Sequence, residues 1–249
     1  MPTTLRFRVQ RQDRPESKPY WQEFEIPWRP NHNVVSALMA IREDPVTVEG
    51  VKVDPVLWEC NCMEEVCGAC SMRVNGRPMQ ACSTLVDTLS QPIRLQPLSK
   101  FPVVRDLMVD RQVMFENLKK VRAWVEIDGS WDVHERGPRI SPQEWEVNYL
   151  YSRCMTCGCC MEACPQFGPS LPFLGPATFG QVRLMNGHPT GRYVAADRLH
   201  AIMGEGGLSD CGNAQNCVEV CPKKIPLTTA IGDLGRQVSF QLVKDVLGG

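Results

Sequence analysis

The sequence has no apolar run approaching the roughly eighteen residues that a helix needs to cross a bilayer. The N-terminal stretch Met1-Pro-Thr-Thr-Leu-Arg6 lacks the apolar segment of a secretory signal, so we expect no export. The formal net charge is only -1, and it gives no reason to expect a nucleic-acid partner. These absences predict a chain that is soluble by itself and that reaches a membrane only through other proteins.

Active-site motifs are also missing. Gly204-Glu-Gly-Gly207 has neither the G-x-G-x-x-G order nor a preceding strand, so it is not a dinucleotide-binding loop. The sequence contains no FAD phosphate loop and no acid–base pair beside an arginine clamp. We therefore predict no catalytic residues and no flavin or dicarboxylate site in this chain.

Cysteine, in contrast, is abundant, with 13 residues in a chain of 249. The odd count and the missing secretory signal disfavour a disulfide framework. Thiolates that bind metal need a reducing compartment, which predicts a cytoplasmic location. All but Cys60 and Cys159 fall into spaced groups, and we interpret these two as small buried hydrophobic residues rather than ligands.

The first spaced group follows C-x4-C-x2-C-x11-C, and its members are Cys62, Cys67, Cys70 and Cys82. The first three match the plant-type [2Fe–2S] spacing. Asn75-Gly76 lies between two strand-like pieces and predicts a type I′ hairpin that returns the fourth ligand. Gly68 and Ala69 keep the loop small, so backbone N–H groups can approach the sulfurs and stabilise their negative charge, which is one way to tune the reduction potential.

Two later runs follow the bacterial pattern C-x2-C-x2-C-x3-C-P, in which the fourth cysteine serves the other cluster. The second run has Ala214 where its second cysteine should stand. A four-thiolate set for a [4Fe–4S] cluster therefore consists of Cys154, Cys157, Cys160 and Cys221. Only three cysteines remain, which favours a [3Fe–4S] cluster on Cys164, Cys211 and Cys217. The alternative is a [4Fe–4S] cluster whose odd iron is held by water or substrate.

Zinc also binds Cys-x2-Cys, but three cysteines at successive x2 steps exceed what one tetrahedral site needs. A non-catalytic zinc-binding interaction module stays an alternative of another class. Iron bound through the same cysteines is the interpretation that the spacing favours.

The pattern of apolar residues changes along the chain. Alternation in Leu5–Val9 and Trp21–Ile26 predicts a β-hairpin, and Asn33 caps a predicted helix that ends before Pro45. A closing strand is predicted over residues 92–97. Helices are then predicted from Asp110 through Val121, near residues 178–186 and 195–203, and beyond Pro226. We therefore expect a hairpin-rich domain followed by a helical one.

Together these motifs resemble the iron–sulfur subunit of succinate dehydrogenase and its relative quinol:fumarate reductase, over nearly the whole chain. The residues that carry the resemblance are Cys62–Cys82, Phe101–Leu107, Cys154–Pro165, Gln181–Arg183, His188–Gly191 and Cys211–Pro222. The resemblance implies an α+β protein, with an N-terminal β-grasp plant-type [2Fe–2S] ferredoxin domain over residues 1–106. An all-α bacterial-type ferredoxin domain with the [4Fe–4S] and [3Fe–4S] clusters follows over residues 107–249.

The resemblance further implies an electron-transfer subunit of succinate dehydrogenase (quinone). Its expected partners are a FAD-containing flavoprotein, a membrane anchor that often holds haem b, and a membrane quinone. It implies a peripheral position on the cytoplasmic face of the membrane. Fumarate reductase, which runs the reaction backward, is the main alternative. A thiol-using fumarate reductase is another, although such relatives carry further cysteine-rich C-terminal domains and this chain ends at Gly249.

One departure from the family bears on the quinone. Ubiquinone-using members have a tryptophan shortly after the motif that matches Cys164-Pro165 and a histidine after the first cysteine of the second run. Here Gln166-Phe-Gly-Pro169 and Gly212 stand at these places. We therefore expect a haem-containing, menaquinone-type complex.

Because succinate is a mild reductant, we also expect the [2Fe–2S] potential to lie well above about -400 mV, the value typical of plant-type centres.

Overall fold

The computed structural model describes residues 3–126 and 139–248. By the contacts of its Cα atoms, the chain divides into two compact units. The first unit comprises Met1–Arg111 and Met155–Ala163, and the second comprises Gln112–Cys154 and Cys164–Gly249. The domain boundary predicted after residue 106 stays a prediction.

Strands predominate in the first unit and helices in the second. The strands are β1 Thr4–Arg11, β2 Tyr20–Pro27, β3 Ser71–Val74, β4 Arg77–Gln80, β5 Ile93–Gln96, β6 Val103–Arg105 and β7 Met108–Val109. The helices are α1 Val34–Glu43, α2 Gln112–Lys120, α3 Pro142–Ser152, α4 Cys159–Ala163, α5 Pro176–Gly187, α6 Ala195–Ala201, α7 Asn216–Glu219 and α8 Leu227–Leu247. Helices α1 and α4 belong to the first unit. The predicted α+β class is confirmed.

A five-stranded sheet forms the first unit, in the order β2-β1-β5-β3-β4. Strand β1 pairs antiparallel with β2 and parallel with β5. Leu5, Phe7 and Val9 alternate with polar residues and are buried, so one face of β1 supplies core. Leu38 and Ile41 of α1 belong to the same hydrophobic cluster. A mixed sheet packed against one helix is the β-grasp arrangement that the resemblance implies.

Two local predictions in this unit are confirmed. Asn33 caps α1, because its Oδ1 accepts from the N–H of Ser36 at 2.8 Å while the Ser36 hydroxyl accepts from the N–H of Asn33 at 3.0 Å. Asn75 and Gly76 have φ angles of 49° and 87°, the left-handed pair that a type I′ turn requires, and they join β3 to β4. The β1–β2 hairpin is likewise present.

A buried ion pair anchors the segment that leads into the first cysteine group. Arg11 Nε donates to Asp106 Oδ1 at 2.8 Å, and both side chains are buried. The Asp106 carboxylate also accepts from the backbone N–H groups of Gln12 at 3.1 Å and Leu57 at 2.9 Å. Removing one partner of such a pair costs about 3–5 kcal/mol, because the other charge stays buried and unpaired. The chain just before Cys62 is therefore firmly held.

The second unit packs α5 against α3 and α8. Its largest buried polar side chain belongs to Arg198 of α6, which donates to the carbonyl oxygens of Arg122, Trp124 and Gly191 at distances of 2.8 to 2.9 Å. Burial lowers the pKa of this guanidinium. Peptide dipoles stabilise the charge of Arg198, whereas the buried carboxylate of Asp106 stabilises the charge of Arg11.

The helices predicted in the second half are confirmed by α2, α5, α6 and α8. Helix α3 is an addition that the sequence analysis does not predict. Ser141 caps it and forms a capping box with Glu144, and Pro142 opens its first turn. The short β6–β7 hairpin occupies the stretch in which the domain junction is predicted.

Candidate metal centres

The first cysteine group lies in the first unit, around the β3–β4 hairpin. Cys62 and Cys67 belong to the loop before β3, and Cys70 immediately precedes that strand; we call residues 62–70 the cluster loop. Cys82 follows β4, and its N–H donates to Cys70 Sγ at 3.4 Å because the hairpin brings the two strand ends together. All four thiols are free of disulfides, so the group presents the soft donor set that an iron–sulfur cluster needs.

Backbone donors surround the sulfur of Cys62. The N–H groups of Glu64, Val66 and Cys67 lie 3.4, 3.3 and 3.3 Å from Cys62 Sγ. The N–H of Ala69 donates to Cys67 Sγ at 3.5 Å. The three bonds to Cys62 favour its thiolate and lower its pKa to about 6. At the end of the loop, burial raises the pKa of Cys70 to about 12. The loop is thus arranged for anionic sulfur at Cys62.

Left-handed backbone conformations give the cluster loop its shape. Met63, Glu65 and Gly68 have φ angles of 60°, 55° and 73°. Gly68 is further restricted, since a Cβ there would lie 2.6 Å from the carbonyl oxygen of Met155 and 2.9 Å from Cα of Cys157. Glycine is therefore needed at residue 68 both for its φ and for the close approach of the Met155–Cys157 segment.

Arg111 supports the cluster loop, and the sequence analysis misses it. Its Nη1 donates to the carbonyl oxygen of Gly68 at 2.7 Å, and its Nη2 donates to the carbonyl oxygen of Ala69 at 3.3 Å. Nη2 also pairs with Glu59 at 2.6 Å. Because these carbonyls are engaged by Arg111, the N–H groups of the loop remain available to the sulfurs. No sequence motif marks Arg111, whose three partners are 42 to 52 residues away.

The four cysteines predicted to hold the [4Fe–4S] cluster are divided between the two units. Cys157 and Cys160 are buried in the first unit, whereas Cys154 and Cys221 belong to the second. Cys221 Sγ accepts from the N–H of Ile225 at 3.4 Å. The grouping of these four cysteines around one [4Fe–4S] cluster therefore stays a prediction.

Cys164, Cys211 and Cys217 come together within the second unit. All three line one open pocket of about 350 Å³, and Ala214 lines it as well. We call this the three-thiol pocket. Ala214, which stands where the second run lacks a cysteine, thus lines the same pocket as the three cysteines.

The thiols of this pocket are close enough to influence one another. Burial, followed by electrostatic repulsion from Cys164 and Cys211, raises the pKa of Cys217 to about 11. Left-handed residues Asn213 and Gln215, with φ angles of 51° and 62°, curl the chain just before α7, which carries Cys217. Ionisation of Cys217 near neutral pH therefore requires a positive charge such as that of bound iron.

The two remaining cysteines lie in the first unit. Cys60 is partly buried against its hydrophobic cluster. Cys159 is fully buried, and its Sγ accepts from Gln80 Nε2 at 3.5 Å. Gln80, like Arg111, is a polar residue beside the cysteines that the sequence motifs do not reveal, and it is buried.

Within residues 3–126 and 139–248, no helix combines the length and apolar character that crossing a membrane demands. In the same part of the chain, no group of three or more His, Cys, Asp or Glu side chains is arranged to hold a single metal ion.

Comparisons with known proteins agree with the two cysteine-bearing regions. Residues 6–116 match the family described as 2Fe-2S iron-sulfur cluster binding domain, and residues 150–225 match the 4Fe-4S dicluster domain. The succinate dehydrogenase iron-sulfur subunit of Bacillus subtilis is 56% identical over 98% of this chain and 96% of its own length. The fumarate reductase iron-sulfur subunit of Wolinella succinogenes is 32% identical over 89% of this chain and 91% of its own length.

Among solved structures, a chain of the Mycobacterium smegmatis Sdh1 complex in the apo form matches with a TM-score of 0.79. The match covers 97% of this chain and 98% of that one at 21% identity, which shows a shared fold. The resemblance stated from the motifs is therefore confirmed. The chain belongs to the family of succinate dehydrogenase and fumarate reductase iron–sulfur subunits.

Proposed function

We propose that the chain is the electron-transfer subunit of a succinate dehydrogenase (quinone), between a FAD-containing flavoprotein and a membrane quinone. The observation that carries the proposal is the cluster loop of this family member. Its backbone N–H groups donate to cysteine sulfur and so favour metal-bound thiolate. Identity of 56% to a succinate dehydrogenase subunit, against 32% to a fumarate reductase subunit, favours succinate oxidation over the reverse reaction. In this proposal the flavoprotein partner, not this chain, provides the flavin and dicarboxylate sites.

Three clusters would supply one-electron carriers, and the chain's cysteines would hold them. The proposed [2Fe–2S] ligands are Cys62, Cys67, Cys70 and Cys82. The proposed [4Fe–4S] ligands are Cys154, Cys157, Cys160 and Cys221. The proposed [3Fe–4S] ligands are Cys164, Cys211 and Cys217. Support for the last set comes from the three-thiol pocket, where Ala214 offers no sulfur to a fourth iron.

The proposed quinone is menaquinone, and the proposed anchor holds haem b at the cytoplasmic face of the membrane. Two residues of the three-thiol pocket support this choice. Gln166 and Gly212 both line the pocket, and a Cβ on Gly212 would lie 2.5 Å from Gln166 Nε2. A histidine at residue 212, as in ubiquinone-using members, would therefore require Gln166 to move.

The test uses the complex purified anaerobically with its native partner subunits. We expect about nine irons and about ten inorganic sulfides per chain, and reduction of the clusters when succinate is added. A naphthoquinone analogue of menaquinone should be reduced faster than a ubiquinone analogue. Absence of inorganic sulfide would overturn the function. Turnover with the ubiquinone analogue alone would overturn only the choice of quinone.

A further inference from the structure

Gln80 ends strand β4 with its side-chain amide buried between two cysteine sulfurs. Only 2% of the residue is exposed. Its Oε1 lies 3.5 Å from Cys70 Sγ, and its Nε2 lies 2.7 Å from Ser71 Oγ and 3.5 Å from Cys159 Sγ. One amide thus contacts a proposed [2Fe–2S] ligand and a thiol outside every ligand set.

The network is satisfied as long as Cys70 keeps its thiol hydrogen. Cys70 then donates to Gln80 Oε1, while the amide hydrogens of Gln80 go to Ser71 Oγ and Cys159 Sγ. The Ser71 hydroxyl donates its own hydrogen to the carbonyl oxygen of Gly68 at 2.8 Å. Each of these side chains therefore has a partner in the metal-free state.

Binding of iron removes the hydrogen of Cys70, because a metal-bound cysteine is a thiolate. Oε1 beside that sulfur would then place two acceptors together in a buried site, which is unfavourable. The oxygen and nitrogen ends of a glutamine amide have nearly the same shape, so its hydrogen bonds decide which end faces which neighbour. Exchanging the two ends turns Nε2 toward the Cys70 sulfur.

The exchanged orientation has donors ready for Oε1. The hydroxyl of Ser71 and the thiol of Cys159 each carry one hydrogen that Oε1 accepts. Ser71 then gives up its bond to Gly68, but the Gly68 carbonyl keeps its 2.7 Å hydrogen bond from Arg111 Nη1. The surroundings of Gln80 therefore accommodate both orientations, and the charge on Cys70 selects between them.

We propose that Gln80 donates an N–H···S hydrogen bond to Cys70 in the cluster-loaded protein and thereby raises the [2Fe–2S] reduction potential, with Cys159 and Ser71 orienting the amide. The inference rests on the [2Fe–2S] ligand set of the proposed function. Hydrogen bonds to ligand sulfur stabilise the additional negative charge of the reduced cluster more than they stabilise the oxidised one. Gln80 accordingly acts on the cluster through Cys70, and Cys159 provides the thiol that orients the Gln80 amide.

The test is an EPR-monitored redox titration of the assembled complex carrying Gln80→Met, which keeps the length of the side chain and removes the amide. At a fixed potential near the midpoint, we expect the oxidised-to-reduced ratio of the [2Fe–2S] cluster to rise about tenfold, equivalent to a midpoint about 59 mV lower. The matched control is Gln96→Met in β5, whose amide donates to Gln10 Oε1 at 2.9 Å and not to a cysteine. Gln96→Met should leave the midpoint unchanged.

Cys159 gives a graded second test. Cys159→Ser keeps a donor for Oε1 and should retain the wild-type [2Fe–2S] midpoint, whereas Cys159→Ala should lower it by less than Gln80→Met does. Equal midpoints in Gln80→Met and wild type would overturn the inference while leaving the function intact. A wild-type complex without any [2Fe–2S] EPR signal would instead overturn the function.

Pulsed EPR covers the case in which Gln80→Met fails to assemble its cluster. In wild-type complex with 15N-labelled glutamine side chains, the reduced [2Fe–2S] cluster should show hyperfine coupling to the label, and Gln96→Met should retain that coupling. A reduced cluster with no coupling to the labelled amide would contradict the hydrogen bond directly.

Discussion

The cluster loop and the three-thiol pocket stabilise sulfur in different ways. In the loop, three backbone N–H groups lie 3.3 to 3.4 Å from Cys62 Sγ and lower its pKa to about 6. In the pocket, burial and two neighbouring thiols raise the pKa of Cys217 to about 11. Backbone donors of the loop thus stabilise the negative charge of Cys62 without metal, whereas ionised Cys217 at neutral pH depends on the charge of the metal.

This difference teaches how the two sites depend on iron. Thiols with raised pKa values must release protons when a metal binds, so part of the binding energy is spent on ionising them. Cys62 already favours its thiolate and so has a smaller proton barrier than Cys217, although burial raises the pKa of Cys70 in the same loop to about 12. Because the pocket has only three thiols, we expect it to be the more sensitive of the two sites to ligand substitution. Four predictions test this contrast from the largest effect to the smallest.

The largest effect should follow Cys217→Ser. Loss of one of three thiolates leaves the pocket with too few ligands, so the oxidised [3Fe–4S] EPR signal should disappear and the iron content should fall by about three of about nine. The [2Fe–2S] signal should persist. The same exchange at Cys60, which lies in no proposed ligand set, is the control and should keep all signals. A [3Fe–4S] signal that survives Cys217→Ser would contradict the ligand set.

Ala214→Cys should add a ligand to the same pocket. Because residue 214 lines the pocket with the three thiols, a fourth sulfur should hold one more iron and convert the three-iron centre toward [4Fe–4S]. The measurements are iron content and loss of the oxidised-state EPR signal. Ala214→Ser offers a hydroxyl of similar size and should keep the three-iron signal. Identical signals in wild type and Ala214→Cys would count heavily against the ligand allotment.

The sequence predicts those parts of the sites that depend on residues close together in the chain. Spacing identifies the cysteines because a tight turn can aim several nearby thiols at one centre, and Asn75-Gly76 determines a turn by its own backbone preferences. Arg111 and Gln80 escape prediction because their partners are brought near only by tertiary packing. Residues Met155–Ala163 also belong to the first unit because of tertiary packing, since Cys157 lies close to Gly68, which is far away in the sequence.

Helix α3 is a different kind of omission. Ser141-Pro-Gln-Glu144 contains both a capping box and a proline at the first helical turn, where proline is favoured. Local rules suffice to find this helix when the proline is considered together with the serine that precedes it.

Gly68→Ala should destabilise the first unit by a smaller, measurable amount. The left-handed φ of 73° and the predicted overlap with Met155 O act together, and strain of this kind costs about 1–3 kcal/mol. Gly50→Ala is the matched control, because Gly50 has a φ of 79° but nothing within 4 Å of an added Cβ. We expect Gly68→Ala to lower Tm and [2Fe–2S] signal intensity more than Gly50→Ala does. Equal effects would mean that the close approach of residues 155–157 contributes nothing.

The smallest effect concerns the thiols themselves, and alkylation of the iron-free full chain measures it. The pKa of Cys62 is lowered to about 6, so its thiolate predominates above that pH and its alkylation rate should stop rising there. The pKa of Cys217 is raised to about 11, so this thiol stays protonated at neutral pH and its rate should keep rising through pH 9 to 10. Mass spectrometry of the two peptides gives both profiles from one sample, with circular dichroism checking that the fold persists at each pH. Parallel profiles would show that the backbone donors of the cluster loop do not stabilise the Cys62 thiolate before iron arrives, and the contrast between the two sites would then depend on the metal alone.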